Sequence, residues 1–194
     1  MSIRRVNGTS TMNDYSLEDV VYSVLNELGG SIDGLKKLMK ILFLIQYDVK
    51  RIPLRRSAVV VKYFYGGKPI TRAKFYLWSF GPMSNEVYDV VDELEEEGII
   101  KLIATDNLST MVRISISKEM KVSLPKPVSD RINEIISKYS KLKGWELERL
   151  VKDLLDLTIE EKRSSYMGYL VEDYLREEGF RLITRDLANG EVKE

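Results

Sequence analysis

The sequence of 194 residues contains no cysteine and no histidine. Without cysteine the protein cannot form a disulfide or use a thiolate nucleophile, and without histidine it cannot build a histidine-based catalytic triad. Zinc sites made of cysteine and histidine ligands are excluded as well. An enzyme would have to work with carboxylates, lysine, serine or tyrosine alone. We therefore expect a protein that is not an enzyme and that holds neither a metal nor a cofactor.

The sequence also lacks a long hydrophobic run and a net charge. Its longest mostly apolar segment, residues 38–45, is too short to span a bilayer, and the polar residues 1–13 contain no signal-peptide hydrophobic region. The 30 basic and 30 acidic residues cancel, so the overall charge does not point to nucleic acid or to a membrane surface. We expect a cytoplasmic protein that does not bind membranes. Abundant lysine and glutamate, with a single glutamine at Gln46, are compatible with a thermophile.

The first half of the chain is expected to be helical. Residues 1–15 are polar and are predicted to be a flexible arm. Ser16 is a helix cap, and an apolar stripe follows it until two glycines at residues 29 and 30 end the helix. A second helix is predicted to start near residue 31 or 33 and to end at about residue 51, before Pro53. Because it is apolar nearly all round, it should lie at the centre of the core.

The stretch of residues 75–100 predicts a strand followed by a helix. An aromatic run breaks at Gly81 and Pro82, and apolar residues at helical spacing begin after Ser84. Gly98 should end this helix, because glycine adopts the left-handed C-terminal geometry without steric cost. The alternating residues after this helix predict a hairpin with strands at residues 101–104 and 111–117, which would be the wing of a winged-helix domain.

The other segments complete an α+β prediction. Residues 57–78 contain two runs of β-branched and aromatic residues around a glycine turn, so we predict a hairpin there. Helices are predicted at 128–142, 145–157 and 164–178, with a strand at 180–185. Together these elements predict a mostly helical domain with a winged-helix-like centre over residues 16–157 and a C-terminal helical extension over residues 158–194.

Several short motifs resemble those of the Panacea-type domain found in SocA-like antitoxins and proteolytic adaptors. The helix LKKLMKILFLIQ, the run into Phe80, Gly81 and Pro82, and the later segment KYSKLKGWELERL carry this resemblance. Other matching positions follow the Phe-Gly-Pro motif: Ser84, Val87, Tyr88, Leu94, Gly98 and Ile99. The resemblance implies a mostly helical domain that binds a protein partner, often a toxin, and performs no catalysis.

The acidic helix after Ser84 offers one candidate binding surface. Its exposed side is expected to be rich in aspartate and glutamate, which suits a basic protein partner or the basic stretch of another copy in a homodimer. The simpler interpretation is a solvated helix face. The residues that we predict to bind a protein partner are Trp78, Glu86, Tyr88, Asp89 and Glu93, joined by Trp145 if it is exposed.

A basic, aromatic stretch offers an alternative partner, double-stranded DNA. Residues 49–85 contain eight basic residues and no acidic one, with seven aromatic residues between them. Such residues can neutralise phosphates and stack on bases, although buried strand aromatics with a solvated basic face are the more common outcome. A DNA-binding regulator would use the basic stretch and the wing, and the residues are Arg55, Arg56, Lys62, Lys68, Arg72, Lys74 and Arg113.

The carboxylates near the C-terminus give a weaker, enzymatic hypothesis. Glu172, Asp186 and Glu191 with Lys193 resemble the metal-binding motif of restriction-endonuclease-like nucleases. Short motifs of this kind have a high false-positive rate. We expect instead an amphipathic helix that buries one apolar face, made of Tyr166, Leu170, Val171, Tyr174 and Leu175.

Overall fold

The computed structural model describes residues 15–51, 58–65, 68–106, 112–187 and 189–193. They form an α+β fold, as predicted. The helices are α1 (Leu17–Glu27), α2 (Leu35–Gln46), α3 (Asn85–Glu96), α4 (Lys126–Tyr139), α5 (Gly144–Leu154), α6 (Glu160–Ser165) and α7 (Val171–Glu177). The strands are β1 (Ser31–Asp33), β2 (Tyr47–Arg51), β3 (Ala58–Tyr65), β4 (Lys68–Pro69), β5 (Tyr76–Trp78), β6 (Gly81–Met83), β7 (Ile100–Ala104), β8 (Val112–Ile116), β9 (Arg181–Asp186) and β10 (Val192–Lys193).

Helix α1 begins at the predicted cap. Ser16 has extended backbone geometry, and its Oγ accepts a hydrogen bond of 3.1 Å from the backbone N–H of Asp19, which satisfies one of the free donors of the first turn. The apolar stripe faces the core through Val20, Val21, Val24 and Leu25. Of the arm predicted over residues 1–15, all but Tyr15 lies outside the described residues, and Tyr15 packs partly buried against the core.

Helix α2 is central to the core, as predicted, but its predicted ends are wrong. Residues 31–33 form strand β1, and the helix stops at Gln46, where the chain turns directly into β2. The buried Arg131 of α4 explains this end, since its guanidinium donates hydrogen bonds to the carbonyls of Leu44 at 2.7 Å and Ile45 at 3.4 Å. Because these terminal carbonyls have a partner, the helix can end without glycine or proline. Pro53 lies outside the described residues.

The predicted hairpin after α3 is confirmed. Helix α3 ends before Gly98, whose φ is 69°, and β7 and β8 pair antiparallel from Ile100 opposite Ile116 to Ala104 opposite Val112. Strand β1 adds to the other side of β8, which gives a three-stranded sheet in the order β1-β8-β7. Helices α1, α2 and α3 each contact a strand of this sheet. Its core-facing residues include Ile32 and Ile114, which are opposite each other and buried.

The predicted hairpin within residues 57–78 is partly wrong. Strand β3 exists, but its long partners are β2, antiparallel on one side, and β9, parallel on the other. Of the predicted hairpin's second half, only the short strand β4 joins this sheet, in which β4 pairs with β3 and the other strands have the order β10-β9-β3-β2. Strand β5 pairs with β6 instead. An uninterrupted run of β-branched residues, such as Val59 to Val61, is typical of a strand with neighbours on both sides.

The C-terminal segment contains two helices where one was predicted. Helix α6 ends at Ser165 and α7 begins at Val171, because the residues between them extend along β5. There Gly168, with φ at 85°, donates to the carbonyl of Leu77 at 2.7 Å, and Leu77 donates to the carbonyl of Tyr169 at 2.8 Å. The strand predicted at residues 180–185 is confirmed as β9. A domain boundary at residue 157 stays a prediction.

Helices α4 and α5 pack on α2, and their predicted positions are confirmed within a few residues at each end. Every residue of α2 from Leu38 to Gln46 is buried. In the described part of the chain, no helix has both the length and the apolar character that a bilayer crossing requires.

Candidate partner-binding surface

The β5–β6 hairpin presents two aromatic side chains at its tip. Trp78 ends β5 opposite Gly81, the first residue of β6. Gly81 has a φ of 81°, a left-handed geometry that glycine adopts far more readily than other residues. Leu77 is fully buried, whereas Trp78 is 42% exposed and Phe80 is 49% exposed. The buried Leu77 therefore anchors the hairpin in the core, and the tight turn places the rings of Trp78 and Phe80 in contact with solvent.

Helix α2 holds the base of this hairpin through Lys40. The Lys40 side chain is fully buried, and its Nζ donates a hydrogen bond of 2.6 Å to the carbonyl of Pro82. Burial lowers the pKa of Lys40 to about 7; the charge of Glu148 acts in the opposite direction, and those of Lys36 and Lys152 lower it further. The buried amine of Lys40 thus holds the Phe80, Gly81 and Pro82 motif in place from the core side.

An ion-pair cluster joins α2 and α5 beside the hairpin. Lys36 Nζ lies 4.1 Å from the centroid of the Phe80 ring, a cation–π contact, and 2.9 Å from Glu148 Oε2. The other carboxylate oxygen, Oε1, lies 2.5 Å from Lys152 Nζ. Burial alone would raise the pKa of Glu148, but the hydrogen bonds and charges of Lys152 and Lys36 outweigh it and hold the pKa below its usual value. Glu148 is therefore a carboxylate shared by two lysines.

Three further exposed apolar side chains belong to elements that contact the hairpin or α2. Trp145, 56% exposed, follows Gly144, where a Cβ atom would lie 3.8 Å from Lys37 of α2. Met167 and Tyr169, 46% and 42% exposed, flank Gly168 in the segment hydrogen-bonded to β5. We call this set the hairpin surface: Trp78, Phe80, Trp145, Met167 and Tyr169. Clusters of exposed aromatic and methionine side chains are more frequent at protein interaction sites than on the rest of a protein surface.

The predicted partner-binding residues divide between this surface and α3. Trp78 belongs to the hairpin surface. Asp89 and Glu93 are exposed on α3, whereas Glu86 is half-buried and accepts a hydrogen bond of 2.8 Å from Ser84 Oγ. Tyr88 is half-buried, and burial raises its pKa. Helix α3 packs against α1 and β7, which are not the elements that carry the hairpin surface.

Sequence reasoning missed the lysines that support the hairpin, together with Met167 and Tyr169. The one available signal was the spacing of Lys36 and Lys40, four residues apart in a mostly apolar helix, which places both on one helix face. Nothing local indicates that Glu148, more than 100 residues later, pairs with Lys36.

The predicted DNA-binding residues that the structure describes are divided between two sheets and the segment between β4 and β5. Lys62 of β3 is 12% exposed and pairs with Glu172 of α7, and Arg113 of β8 pairs with Asp33 at 2.6 Å in the other sheet. Arg72 and Lys74 are exposed between β4 and β5. The remaining predicted residues, or their side chains, lie outside the description: Arg55, Arg56 and Lys68.

Two of the three carboxylates of the nuclease hypothesis, Glu172 and Asp186, have side-chain partners in the structure. Glu172 accepts hydrogen bonds from Lys62 and, at 3.1 Å, from the Tyr47 hydroxyl, so it links α7 to the sheet. Asp186 ends β9 and accepts at its Oδ2 from the Asn189 side chain at 3.3 Å. Within the described residues no cluster of three or more carboxylates is arranged to hold a metal ion.

A cleft among the described residues is lined by α1 and α4 and includes no residue of the hairpin surface. It has a volume of about 370 Å³ between α1, the segment before α4 and α4 itself. Its lining includes the hydroxyl-bearing Tyr22, Ser23 and Ser129 and the exposed carboxylates of Glu27 and Glu119. The Tyr22 hydroxyl accepts a hydrogen bond of 3.1 Å from the backbone of Met120. This open, polar cleft contains no arrangement of groups that indicates a particular ligand.

One family of known proteins matches the chain. The sequence model of the family described as "Antitoxin SocA-like, Panacea domain" matches residues 60–154, from β3 to the end of α5. This range includes the β5–β6 hairpin, Trp145 and Glu148. No curated protein and no solved structure matches the chain.

Proposed function

We propose that the protein is a non-enzymatic regulatory module that acts by binding a protein partner, because its residues 60–154 match the sequence model of the Panacea domain of SocA-like antitoxins. The hairpin surface is the site of this binding. It carries five large apolar side chains that are between 42% and 56% exposed, and tryptophan and tyrosine are the residues that most often dominate the energy of protein interfaces.

The rigidity of the hairpin supports this role. Lys40 holds it through Pro82, and the segment before α7 pairs with the opposite edge of β5. A surface that is already ordered loses little conformational entropy when a partner binds, so more of the contact energy appears as affinity. Trp78 and Phe80 are therefore placed to act as anchors.

The acidic side of α3 remains a prediction as a second contact area, with Glu86, Tyr88, Asp89 and Glu93. A homodimer is likewise a prediction. The alternative partner, double-stranded DNA, has weaker support, because two of its predicted contact residues, Lys62 and Arg113, are engaged in ion pairs with Glu172 and Asp33.

Photo-crosslinking in cells of the source organism tests the proposal. A photoreactive residue replaces Phe80 in one variant and Ile103 in the other; Ile103 is 47% exposed on β7, away from the hairpin surface, and is the matched control. We expect position 80, and not position 103, to capture a specific protein. That protein is then purified and titrated against wild type and variants.

We expect Trp78→Ala with Phe80→Ala to weaken binding by about 100-fold, because two anchors of about 1–2 kcal/mol each are lost. Ile103→Ala should leave the dissociation constant unchanged. Equal crosslinking from both positions, or full affinity in the double variant, would refute the hairpin surface. Saturable binding to genomic DNA fragments with a steep salt dependence would favour the DNA alternative.

A further inference from the structure

The charges below the hairpin surface are unbalanced. Lys36, Lys40 and Lys152 converge on residues 80–82, and the carboxylate paired with them is Glu148. Both of its oxygens are occupied, one by Lys36 and the other by Lys152. Among the described residues, Lys40 donates to the carbonyl of Pro82 and forms no ion pair with a carboxylate. The group of side chains beneath the hairpin therefore contains three amines and one carboxylate.

The environment of Lys40 agrees with this excess. Burial is the main reason that its pKa falls to about 7, and the positive charges of Lys36 and Lys152 add to the fall despite the opposing charge of Glu148. Lys36 and Lys152 thus each disfavour the charge of Lys40, and a negative group placed beside these amines would be attracted to them.

Lys36 is the member of this group that a partner can reach. Its side chain is 41% exposed, and its Nζ lies over the Phe80 ring. A carboxylate that approaches Lys36 would therefore lie next to an apolar anchor. On α5, the exposed Arg149 follows Trp145 by four residues, which places a second cation beside a second anchor on the same helix side.

We propose that the hairpin surface binds an acidic segment of the protein partner, with apolar side chains of that segment on Trp78, Phe80 and Trp145 and a carboxylate on Lys36. This inference rests on the proposed function. A basic segment would place its amines against Lys36 and Arg149, so like charges would oppose it. The apolar contacts supply most of the affinity, and the charges select the partner.

Selection from a random peptide library displayed on phage tests the chemistry of the segment. The library is panned on the immobilised full-length protein, and enriched peptides are synthesised with a fluorescent label and titrated against the variants. We expect the enriched peptides to contain aspartate or glutamate next to aromatic or aliphatic residues. Their binding should weaken as NaCl rises from about 0.05 M to about 0.5 M, because salt screens exposed charges.

Charge reversal at Lys36 is the decisive variant. Lys36→Glu should weaken peptide binding by about tenfold or more, while Lys101→Glu, a matched reversal of an exposed lysine on β7, should have no effect. Since Lys36→Glu also opposes Glu148, Lys36→Met provides a milder change that keeps the aliphatic stem beside Phe80, and it should weaken binding by a smaller factor. Circular dichroism verifies that each variant is folded.

The outcomes separate this inference from the proposed function. Enriched peptides that are basic or uncharged, or that bind Lys36→Glu and Lys36→Met as tightly as wild type, would overturn the proposal of an acidic segment. If the same peptides fail to bind the double variant Trp78→Ala with Phe80→Ala, the hairpin surface would still be supported as the binding site. If no peptide depends on Trp78 and Phe80, both fail. Concentration-dependent dimers in sedimentation experiments that Lys36→Glu abolishes would identify a second copy as the occupant and would also overturn it.

Discussion

The side chain of Lys40 lies in the protein interior, and its amine donates to the carbonyl of Pro82 at the base of the hairpin. Removing an amine from water disfavours its charged form, which is why the pKa of Lys40 is lowered to about 7. The lysine therefore reduces stability while it is charged and positions the hairpin through its hydrogen bond. Replacing Lys40 with methionine, which has a similar length, would remove both the cost of the buried charge and the hydrogen bond to Pro82.

We expect Lys40→Met to change the pH dependence of stability. The folded protein releases the Lys40 proton near pH 7, whereas the unfolded chain keeps it until about the ordinary value of 10.5. Because the unfolded state then binds more protons, Lys40 makes the unfolding free energy of wild type rise with pH between these values, by up to about 1.4 kcal/mol per pH unit. The variant should lack this rise.

Urea titrations at several pH values between about 6 and 10 measure this effect. The exposed Lys101, changed to Met, is the control and should keep the wild-type slope. Below pH 7 the full penalty of the charged, buried amine is present, so Lys40→Met should compare most favourably with wild type there. Parallel stability curves for wild type and Lys40→Met would contradict this account.

At the scale of elements, the C-terminal helix α7 is joined to the five-stranded sheet by a partly buried polar group. Glu172 of α7 accepts from Lys62 of β3 and from the Tyr47 hydroxyl of β2, and its side chain is 19% exposed. Burial alone would raise the pKa of Glu172, but Lys62, Tyr47 and Arg176 together lower it. The helix also buries Val171, Tyr174 and Leu175 against the core.

We expect Glu172→Gln to reduce the unfolding free energy by about 2 kcal/mol, because Lys62 and Tyr47 lose a charged acceptor in a poorly solvated position. Glu177→Gln, an exposed carboxylate of the same helix, is the control and should change stability little. A cycle with Lys62→Met measures the coupling between the two residues by urea titration.

The pH dependence of the Glu172→Gln effect has a defined sign. Since the folded pKa of Glu172 is lowered, its contribution is present above the ordinary carboxyl value and is lost as the pH falls through the folded value. The difference between wild type and variant should therefore shrink in acid. A difference that stays constant down to about pH 3 would indicate that the charge of Glu172 plays no part.

At the scale of the whole molecule, the segment after residue 157 supplies strand β9 to the sheet that also contains β2 and β3. Strand β9 pairs with β3 over six residues, from Arg181 opposite Val59 to Asp186 opposite Phe64. This parallel pairing connects parts of the chain that are more than 100 residues apart. The matched family region ends at residue 154, before any of this segment.

We expect truncation after Leu157 to abolish cooperative unfolding or to cause aggregation, because β3 loses its parallel neighbour and exposes an unpaired apolar edge. Truncation after Leu187, which removes only the short strand β10 and the residues around it, is the control and should retain a cooperative transition. Thermal unfolding followed by circular dichroism and light scattering distinguishes the two. A stable, monomeric protein ending at Leu157 would instead support the domain boundary predicted there.

The sequence by itself determined the elements whose signals act within a few residues. The Ser16 cap and the apolar stripe of α1, the helix after Ser84 and its end at Gly98, and the β7–β8 hairpin all follow from capping, periodicity and glycine geometry. The motif around Phe80 to Pro82 was sufficient to suggest the family. These features depend on backbone conformation and side-chain spacing, which local residues specify.

The tertiary structure decided everything that depends on distant partners. Helix α2 ends at Gln46 because Arg131 satisfies its last carbonyls, and β3 pairs with β9 rather than with the strand that follows it. Lys62, predicted to face DNA, is paired with Glu172, and the segment of Met167 and Tyr169 is hydrogen-bonded to β5, the strand that ends with Trp78. Whether a lysine is exposed or paired, and which aromatic residues share a surface, depends on contacts between segments far apart in the chain, and no local pattern encodes them.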